Sequence, residues 1–271
     1  VADKYWNARG GSHTDGGSFI FTVKESSVGR MSLDCADKFG RTIDVPRHQT
    51  PMNFREKAAA PTLDRSLVNE LASELAAGRV QESFNRLKDN FSHWDYGKIE
   101  AVLEELSLLA SDKQLKGAVI DLLTTLLDQR YPTGSKRRRS ILQMLLNTLD
   151  SIFRGVDLLG QNQDGEYGRI DFISRDQLRP PGSDEKILVA DASQFPPEGD
   201  ESFAHLISEA YQFGWQRFIC FGHRGQRFLG CSFGPQTGGV RIDAYGSTGD
   251  YLASGIDGME FFVHVNAQDE L

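Results

Sequence analysis

The last third of the chain alternates apolar and polar positions, and the alternation repeats at a fixed spacing. The unit Gly239–Leu252 matches the unit Gly258–Leu271 when the sequence is shifted by 19 positions. The apolar positions that coincide are Val240 with Met259, Ile242 with Phe261, Ala244 with Val263 and Leu252 with Leu271. Alternation of period two is typical of a half-buried strand, and repetition of the whole unit is typical of stacked coils. The pattern therefore predicts a parallel β-helix, in which each coil buries its apolar face against the next.

The same unit occurs once upstream, at a spacing of 24 positions. The residues that coincide are Phe218, Cys220, Gly222, Gly225 and Phe228 upstream and Ile242, Ala244, Gly246, Gly249 and Leu252 downstream. The glycines are predicted at corners, where the chain bends with a positive φ or closely approaches a neighbouring coil. The extra length predicts an outward loop at Pro235–Gly238, because loop insertions cost little free energy. Asp250 and Asp269 are predicted to cap corner N–H groups rather than to act as catalytic or metal-binding carboxylates.

Upstream of this tail the hydrophobic pattern changes twice. Alternation in residues 18–46 predicts a small antiparallel meander, within a β-rich N-terminal segment of residues 1–50. Residues 62–154 carry apolar positions at helical spacing and predict a bundle of helices around a leucine core. Asp64 is predicted to cap the first helix and Gly78 to end it.

The remaining segments connect the bundle to the tail. Residues 155–184 predict a polar connector with a candidate strand at Ile170–Ile173. Residues 185–271 form the predicted β-helix domain, entered through a buried strand at Ile187–Ala190 and a helix at Glu201–Phe213. The predicted fold class is α+β with several domains: a small N-terminal β-meander, an α-helical bundle and a truncated parallel β-helix.

The net charge, the apolar runs and the cysteine spacing make some classes of function less compatible with this sequence. A net charge of −8 over 271 residues argues against nonspecific nucleic-acid binding as the main task. The sequence has no apolar run near the roughly 20 residues of a membrane helix and no signal peptide, so we expect a cytoplasmic protein without a membrane partner. Cys35, Cys220 and Cys231 lack metal-type spacing, and we expect them to be reduced thiols.

Both ends of the sequence suggest a longer protein. The chain begins at Val1 rather than at a methionine, and it ends at Leu271 inside a repeat unit. A β-helix that ended there would leave an uncapped sheet edge. We therefore expect the sequence to be a fragment, with further coils after Leu271.

The tail resembles the GXGXG domain that ends the large subunit of glutamate synthase, and a related domain of formylmethanofuran dehydrogenase. The resemblance rests on Gly222–Gly225, on Gly246–Leu252 and on the spacing between them, together with the strand at Ile187–Ala190 and the helix that follows it. It covers residues 185–271, about a third of the chain. Val265 and Gln268 stand where the first two units have glycine, and residues 1–160 resemble no family.

The resemblance implies a right-handed β-helix with a structural, interdomain role and no catalytic residue. It implies no catalytic, cofactor-binding or metal-binding residue and no cofactor in this chain, whereas partner subunits would carry FMN and iron–sulfur clusters. The implied partners are glutamine amidotransferase-like and flavin/iron–sulfur synthase-like subunits of an oxidoreductase complex in nitrogen and glutamate metabolism. Amidotransferase chemistry in that family needs an N-terminal cysteine, and this chain has Val1.

Two alternatives remain open at the level of sequence. The first is an enzyme with an anionic-substrate site between the bundle and the β-helix, where Arg224, Arg227, Arg241 and His264 would bind the substrate. The second is an interaction module that uses the helical bundle, with the basic run Lys136–Arg139 as its best feature. A solvated face is the commoner role of such a basic run.

Overall fold

The computed structural model of the chain describes residues 19–25, 31–37, 40–43, 64–161, 165–231 and 233–267. The chain forms two compact units, Val1–Ala58 and Ala59–Leu271. Predictions made for Asp269 and Leu271 concern residues outside the described ranges.

The first unit contains a three-stranded antiparallel sheet. Its strands are β1 (Phe19–Glu25), β2 (Met31–Asp37) and β3 (Thr42–Ile43), and they pair in the order β1-β2-β3. Neighbours in sequence are therefore neighbours in the sheet, which is the meander that the alternation predicted.

Five helices open the second unit. They are α1 (Arg65–Ala76), α2 (Val80–Phe91), α3 (Tyr96–Leu109), α4 (Lys116–Asp128) and α5 (Arg138–Arg154). As predicted, the Asp64 side chain caps α1 by accepting a hydrogen bond from the Ser66 N–H. Gly78 follows the helix with φ 71°, a left-handed conformation that suits glycine at a helix end.

A five-stranded parallel sheet follows the bundle. Its strands are β4 (Tyr167–Ile170), β5 (Ile187–Asp191), β6 (Arg217–Arg224), β7 (Arg241–Ser247) and β8 (Glu260–Val263), and they pair in sequence order. Helix α6 (Phe203–Gln212) lies between β5 and β6 and is capped by Ser202, so it begins two residues later than the predicted Glu201. The described part of the chain is therefore a mixed α and β structure.

The two faces of this sheet enter different cores. Side chains that point to the bundle join its leucine-rich core: Tyr167, Ile187, Val189, Ile219, Phe221 and Tyr245. Side chains on the other face form a second core with α6: Ile170, Leu188, Ala190, Phe218, Cys220, Ile242 and Ala244. Alternation along each strand produces this division, because successive side chains of a strand point to opposite faces.

The 19-position repeat matches the strand register observed. Ile242 lies opposite Phe261 and Ala244 opposite Val263, and beyond the strands Ser247 lies opposite Asn266. The 24-position spacing holds for the first part of β6, where Phe218 lies opposite Ile242.

In the second part of β6, the predicted 24-position alignment with β7 is wrong by one residue. The register shifts between Cys220 and His223, so that His223 rather than Gly222 lies opposite Gly246. Gly222 has φ 71° there, and a Cβ would lie 2.6 Å from Asp191 Oδ1, so a glycine suits the irregularity.

The same shift moves the later matches of the upstream unit. The Gly249 N–H donates to the Gln226 carbonyl, and the Phe228 ring stacks on the Tyr251 ring, so Gly225 does not match Gly249 and Phe228 does not match Leu252.

The connector also differs from its prediction. The strand begins at Tyr167 and ends at Ile170, whereas the sequence pattern predicts Ile170–Ile173. Asp171 leaves the strand direction because its carboxylate accepts hydrogen bonds from the N–H and hydroxyl of Ser174, which closes a turn.

Candidate functional site

A row of polar side chains lies between the bundle and the sheet, where both neighbours are otherwise apolar. Helix α4 contributes Asp121, Thr124 and Asp128, whose spacing of three and four residues places them on one helix face. Asp243 and Tyr245 alternate along β7 and therefore share one sheet face. The row runs along α4 because the polar face of the helix lies over the last strands of the sheet.

The centre of the row is a network of four charged side chains. Arg241 donates from Nε and Nη2 to the two carboxylate oxygens of Asp243, at 2.7 and 2.8 Å. The ring of His264 lies between two carboxylates, with Nε2 3.1 Å from Asp243 and Nδ1 2.9 Å from Asp128. The network therefore ties β7 and the end of β8 to helix α4.

Electrostatics fix the charge states of this network. Burial by itself opposes protonation of His264, but hydrogen bonds to Asp128 and Asp243 outweigh it and raise its pKa to about 9. Burial would raise the pKa of Asp243, yet hydrogen bonds from His264 and Arg241 outweigh it and hold that pKa below its usual value. Near neutral pH, His264 is a cation with a carboxylate on each side.

That arrangement suits a structural role better than proton transfer. The His264 side chain is 4% exposed, and both ring nitrogens face carboxylates of the protein. A general base that works near neutral pH needs a pKa near the operating pH and access to its substrate. The ring also stacks on Tyr245, with the centroids 4.4 Å apart, and the Tyr245 hydroxyl lies 2.8 Å from Thr124 Oγ1.

A crevice opens beside the network, between α4 and the sheet. It has a volume of about 210 Å³ and is lined on the helix side by Gly117, Asp121 and Thr124. Its other walls include Glu166, Tyr167, Arg217 and Arg241.

The β8 edge of the sheet carries exposed apolar side chains. Strand β8 pairs with β7 and is the last strand in the sheet order. Phe262, Val263 and Val265 are each more than a third exposed, although strands usually bury such residues.

The four residues of the predicted anion site fall into two groups. Arg241 and His264 meet through Asp243 in the network. Arg227 lies at another corner, where it pairs with Glu198 at 2.6 Å and with Asp250 at 3.6 Å. Arg224 ends β6 as an exposed side chain. The structure therefore does not bring the four residues into one site.

Other sequence candidates have internal roles. Lys136 Nζ donates to the Ser92 carbonyl, and Arg138 donates to the Gln129 carbonyl and lies over the Tyr131 ring. The basic run thus helps to hold the start of α5 against the bundle. Asp95 caps α3 by accepting from the Lys98 N–H, and Trp94 beside it is half-buried.

Sequence reasoning missed the polar side of α4. Its leucines and valine predict a core helix, and such a helix normally turns residues like Asp121, Thr124 and Asp128 to solvent. A signal was present in β7, where Arg241, Asp243 and Tyr245 alternate on the face opposite to Ile242 and Ala244. Both faces of that strand therefore need a partner.

Comparison of the chain with protein-family models, with curated proteins and with solved structures gives no match. Within the described ranges, His, Cys, Asp and Glu side chains form no group of three that could hold a metal ion. None of the helices that the structure describes is long and apolar enough to cross a membrane.

Proposed function

We propose that this chain is a non-catalytic scaffold subunit of a glutamate-synthase-like oxidoreductase complex, with a tail of the GXGXG type. The observation that supports the proposal is the parallel register of β6, β7 and β8, whose spacings of 24 and 19 residues follow the sequence repeat. Stacked parallel rungs with tight glycine corners are what a β-helix requires. Gly246 has φ 112°, and a Cβ on Gly249 would collide with the Gly225 carbonyl.

The charged network supports a structural role for this region. Asp243 receives hydrogen bonds from Arg241 and His264, and His264 also meets Asp128, so these four charges face one another rather than a substrate. A network of this kind favours one relative arrangement of two elements, because Asp243 and His264 are buried and their charges need partners. It would keep the coils in a fixed position on the bundle while partner subunits assemble around them.

In this proposal the partner subunits carry out the catalysis. A glutamine amidotransferase-like subunit would release ammonia, and a synthase-like subunit would carry FMN and iron–sulfur clusters. The chain itself would bind neither cofactor and would hold the two subunits in one complex in the cytoplasm.

Affinity purification of the tagged chain from its native host tests the proposal. We expect the amidotransferase-like and synthase-like subunits to co-purify in fixed stoichiometry, with flavin absorbance in the complex. Recovery of the chain as a lone monomer, or only with proteins of other chemistry, would overturn the proposal.

Activity of the purified complex separates the scaffold from the enzymatic alternative. We expect Arg224→Ala and Arg227→Ala to leave glutamine-dependent turnover within about fivefold of the unsubstituted complex, because Arg224 is exposed and the ion pairs of Arg227 are partly exposed and worth less than about 1 kcal/mol. A loss of turnover at unchanged assembly would instead favour the anionic-substrate site.

A further inference from the structure

The crevice between α4 and the sheet has a charge arrangement that the network does not use. Its two walls come from different parts of the fold, with Asp121 on α4 and Arg217 at the start of β6. Its volume of about 210 Å³ lies below the roughly 300–1,000 Å³ of pockets for drug-sized ligands, so an occupant must be small.

Most charges at the crevice already have partners in the protein. Arg241 is held by both oxygens of Asp243, and Glu166 pairs with Lys186 at 3.2 Å. Asp121 and Arg217 differ: their side chains take part in none of the ion pairs or hydrogen bonds found in the described part of the chain, and they do not pair with each other. One carboxylate and one guanidinium that attract each other without direct contact therefore line the same cavity.

Neighbouring groups shape the space between these two charges. The helix residue that faces the cavity one turn before Asp121 is Gly117, where a Cβ would lie 3.2 Å from the Tyr167 hydroxyl. A side chain at position 117 would therefore crowd the Tyr167 hydroxyl and narrow the cavity. Thr124 and Tyr245, whose hydroxyls bond to each other, also line the cavity.

We infer that this crevice binds a small zwitterion of the α-amino acid class, with its ammonium group on Asp121 and its carboxylate on Arg217. A guanidinium matches a carboxylate with two parallel hydrogen bonds, and a carboxylate is the natural acceptor for an ammonium group. The inference does not depend on the scaffold role.

Ligands with one charge fit the crevice less well. An anion without an ammonium group leaves Asp121 unpaired beside Asp243, and a cation without a carboxylate leaves Arg217 unpaired beside Arg241. The pair of charges therefore selects for both groups in one molecule.

Calorimetric titration of the full chain with each common L-amino acid tests the inference. We expect at least one amino acid to bind with 1:1 stoichiometry, and its two single-charge analogues, the decarboxylated amine and the deaminated acid, to bind at least about tenfold more weakly. Absence of binding by every amino acid, or equal binding by an analogue, would overturn the inference.

Three variants locate the binding. We expect Asp121→Asn and Arg217→Gln each to weaken the binding by about tenfold or more, since each removes one charged contact. Arg224→Gln removes an exposed arginine from the other end of β6 and should leave the affinity unchanged. Both Asp121 and Arg217 are exposed, so we expect the variants to fold, and circular dichroism checks this. Equal affinity in all three variants would place the amino acid elsewhere and refute the crevice as its site.

Discussion

The two faces of the parallel sheet are both covered by helices, but different kinds of side chain hold those helices in place. The face towards α6 is apolar in every strand, and Leu188, Phe218 and Ile242 are fully buried there. The face towards the bundle is apolar in the middle of β5 and β6, but it carries Asp191 at the end of β5, where Arg154 of α5 pairs with it, and the charged network of Asp243 and His264 in β7 and after β8. Apolar burial supplies free energy without a preferred orientation, whereas paired charges specify one arrangement of the elements that they join.

The largest effect is expected from a cavity on the apolar face. Phe218→Ala should lower the free energy of unfolding by about 4 kcal/mol, because Phe218 is fully buried and its loss leaves a void. Urea denaturation followed by circular dichroism measures the change. Phe228→Ala is the matched control, since Phe228 is 37% exposed and should cost less than half as much. Equal costs for the two would show that the apolar face does not dominate stability.

Breaking the network on the other face should have the next largest effect. Asp243→Asn removes the charge shared by Arg241 and His264, and we expect a loss of about 3 kcal/mol because the buried His264 loses one of its two carboxylates and the partly exposed Arg241 loses both of its hydrogen bonds to Asp243. Asp250→Asn is the control, as its carboxylate lies 3.6 Å from Arg227 in a half-exposed pair. The same urea titration measures both, and a loss below about 1 kcal/mol for Asp243→Asn would remove the network as a stabilising feature.

The network should also give stability a dependence on alkaline pH. The pKa of His264 is about 9 in the fold and about 6.5 in the unfolded chain, so its contribution is complete below pH 6.5 and is lost as the pH rises through 9. We expect a loss of about 3 kcal/mol between about pH 6.5 and pH 9.5. His264→Gln should flatten this part of the profile, and an unchanged slope in that variant would contradict the assignment.

A histidine at the end of β6 should act in the opposite direction. Burial lowers the pKa of His223 to about 4, and neither ring nitrogen has a hydrogen-bond partner within the described structure. The unfolded chain therefore binds this proton more readily, and stability should fall as the pH drops from about 6.5 towards 4. Its ring packs edge-on against Phe203, so His223→Phe should remove the acid loss while keeping the ring contact. Thermal melts between about pH 4 and pH 7 measure the difference, and an acid loss that persists in the variant would assign it to other groups.

The smallest effect is expected where the bundle meets Tyr245. Thr124→Val removes the partner of the buried Tyr245 hydroxyl, and we expect a cost of about 1 kcal/mol. Thr125→Val is the control, because Thr125 bonds only to the Asp121 carbonyl of its own helix. A cost for Thr124→Val no larger than that of the control would show that the contact between α4 and β7 adds no stability.

Local pattern predicted the elements of this fold well, because each depends on residues close in sequence. The cap at Asp64, the meander and the 19-residue register all follow from spacing. The alignment of β6 failed after Cys220 because a bulge changes the register without changing the alternation that a sequence displays.

The site was less accessible to sequence reasoning because its residues come from distant parts of the chain. Asp128 and His264 are 136 positions apart, and nothing in either local pattern marks them as partners. Asp121 and Arg217 likewise line the same cavity only when the bundle packs on the sheet. An acidic residue on a helix and an arginine at the start of a strand are both ordinary surface residues when read alone.

The sequential order of the strands has a consequence for folding. Paired residues are 20 positions apart between Tyr167 and Ile187, 30 between Ile187 and Arg217, 24 between Arg217 and Arg241, and 19 between Arg241 and Glu260. Loop-closure entropy grows so slowly that these lengths differ in cost by less than about 0.6 kcal/mol. Loop length therefore sets no order of assembly among the strands.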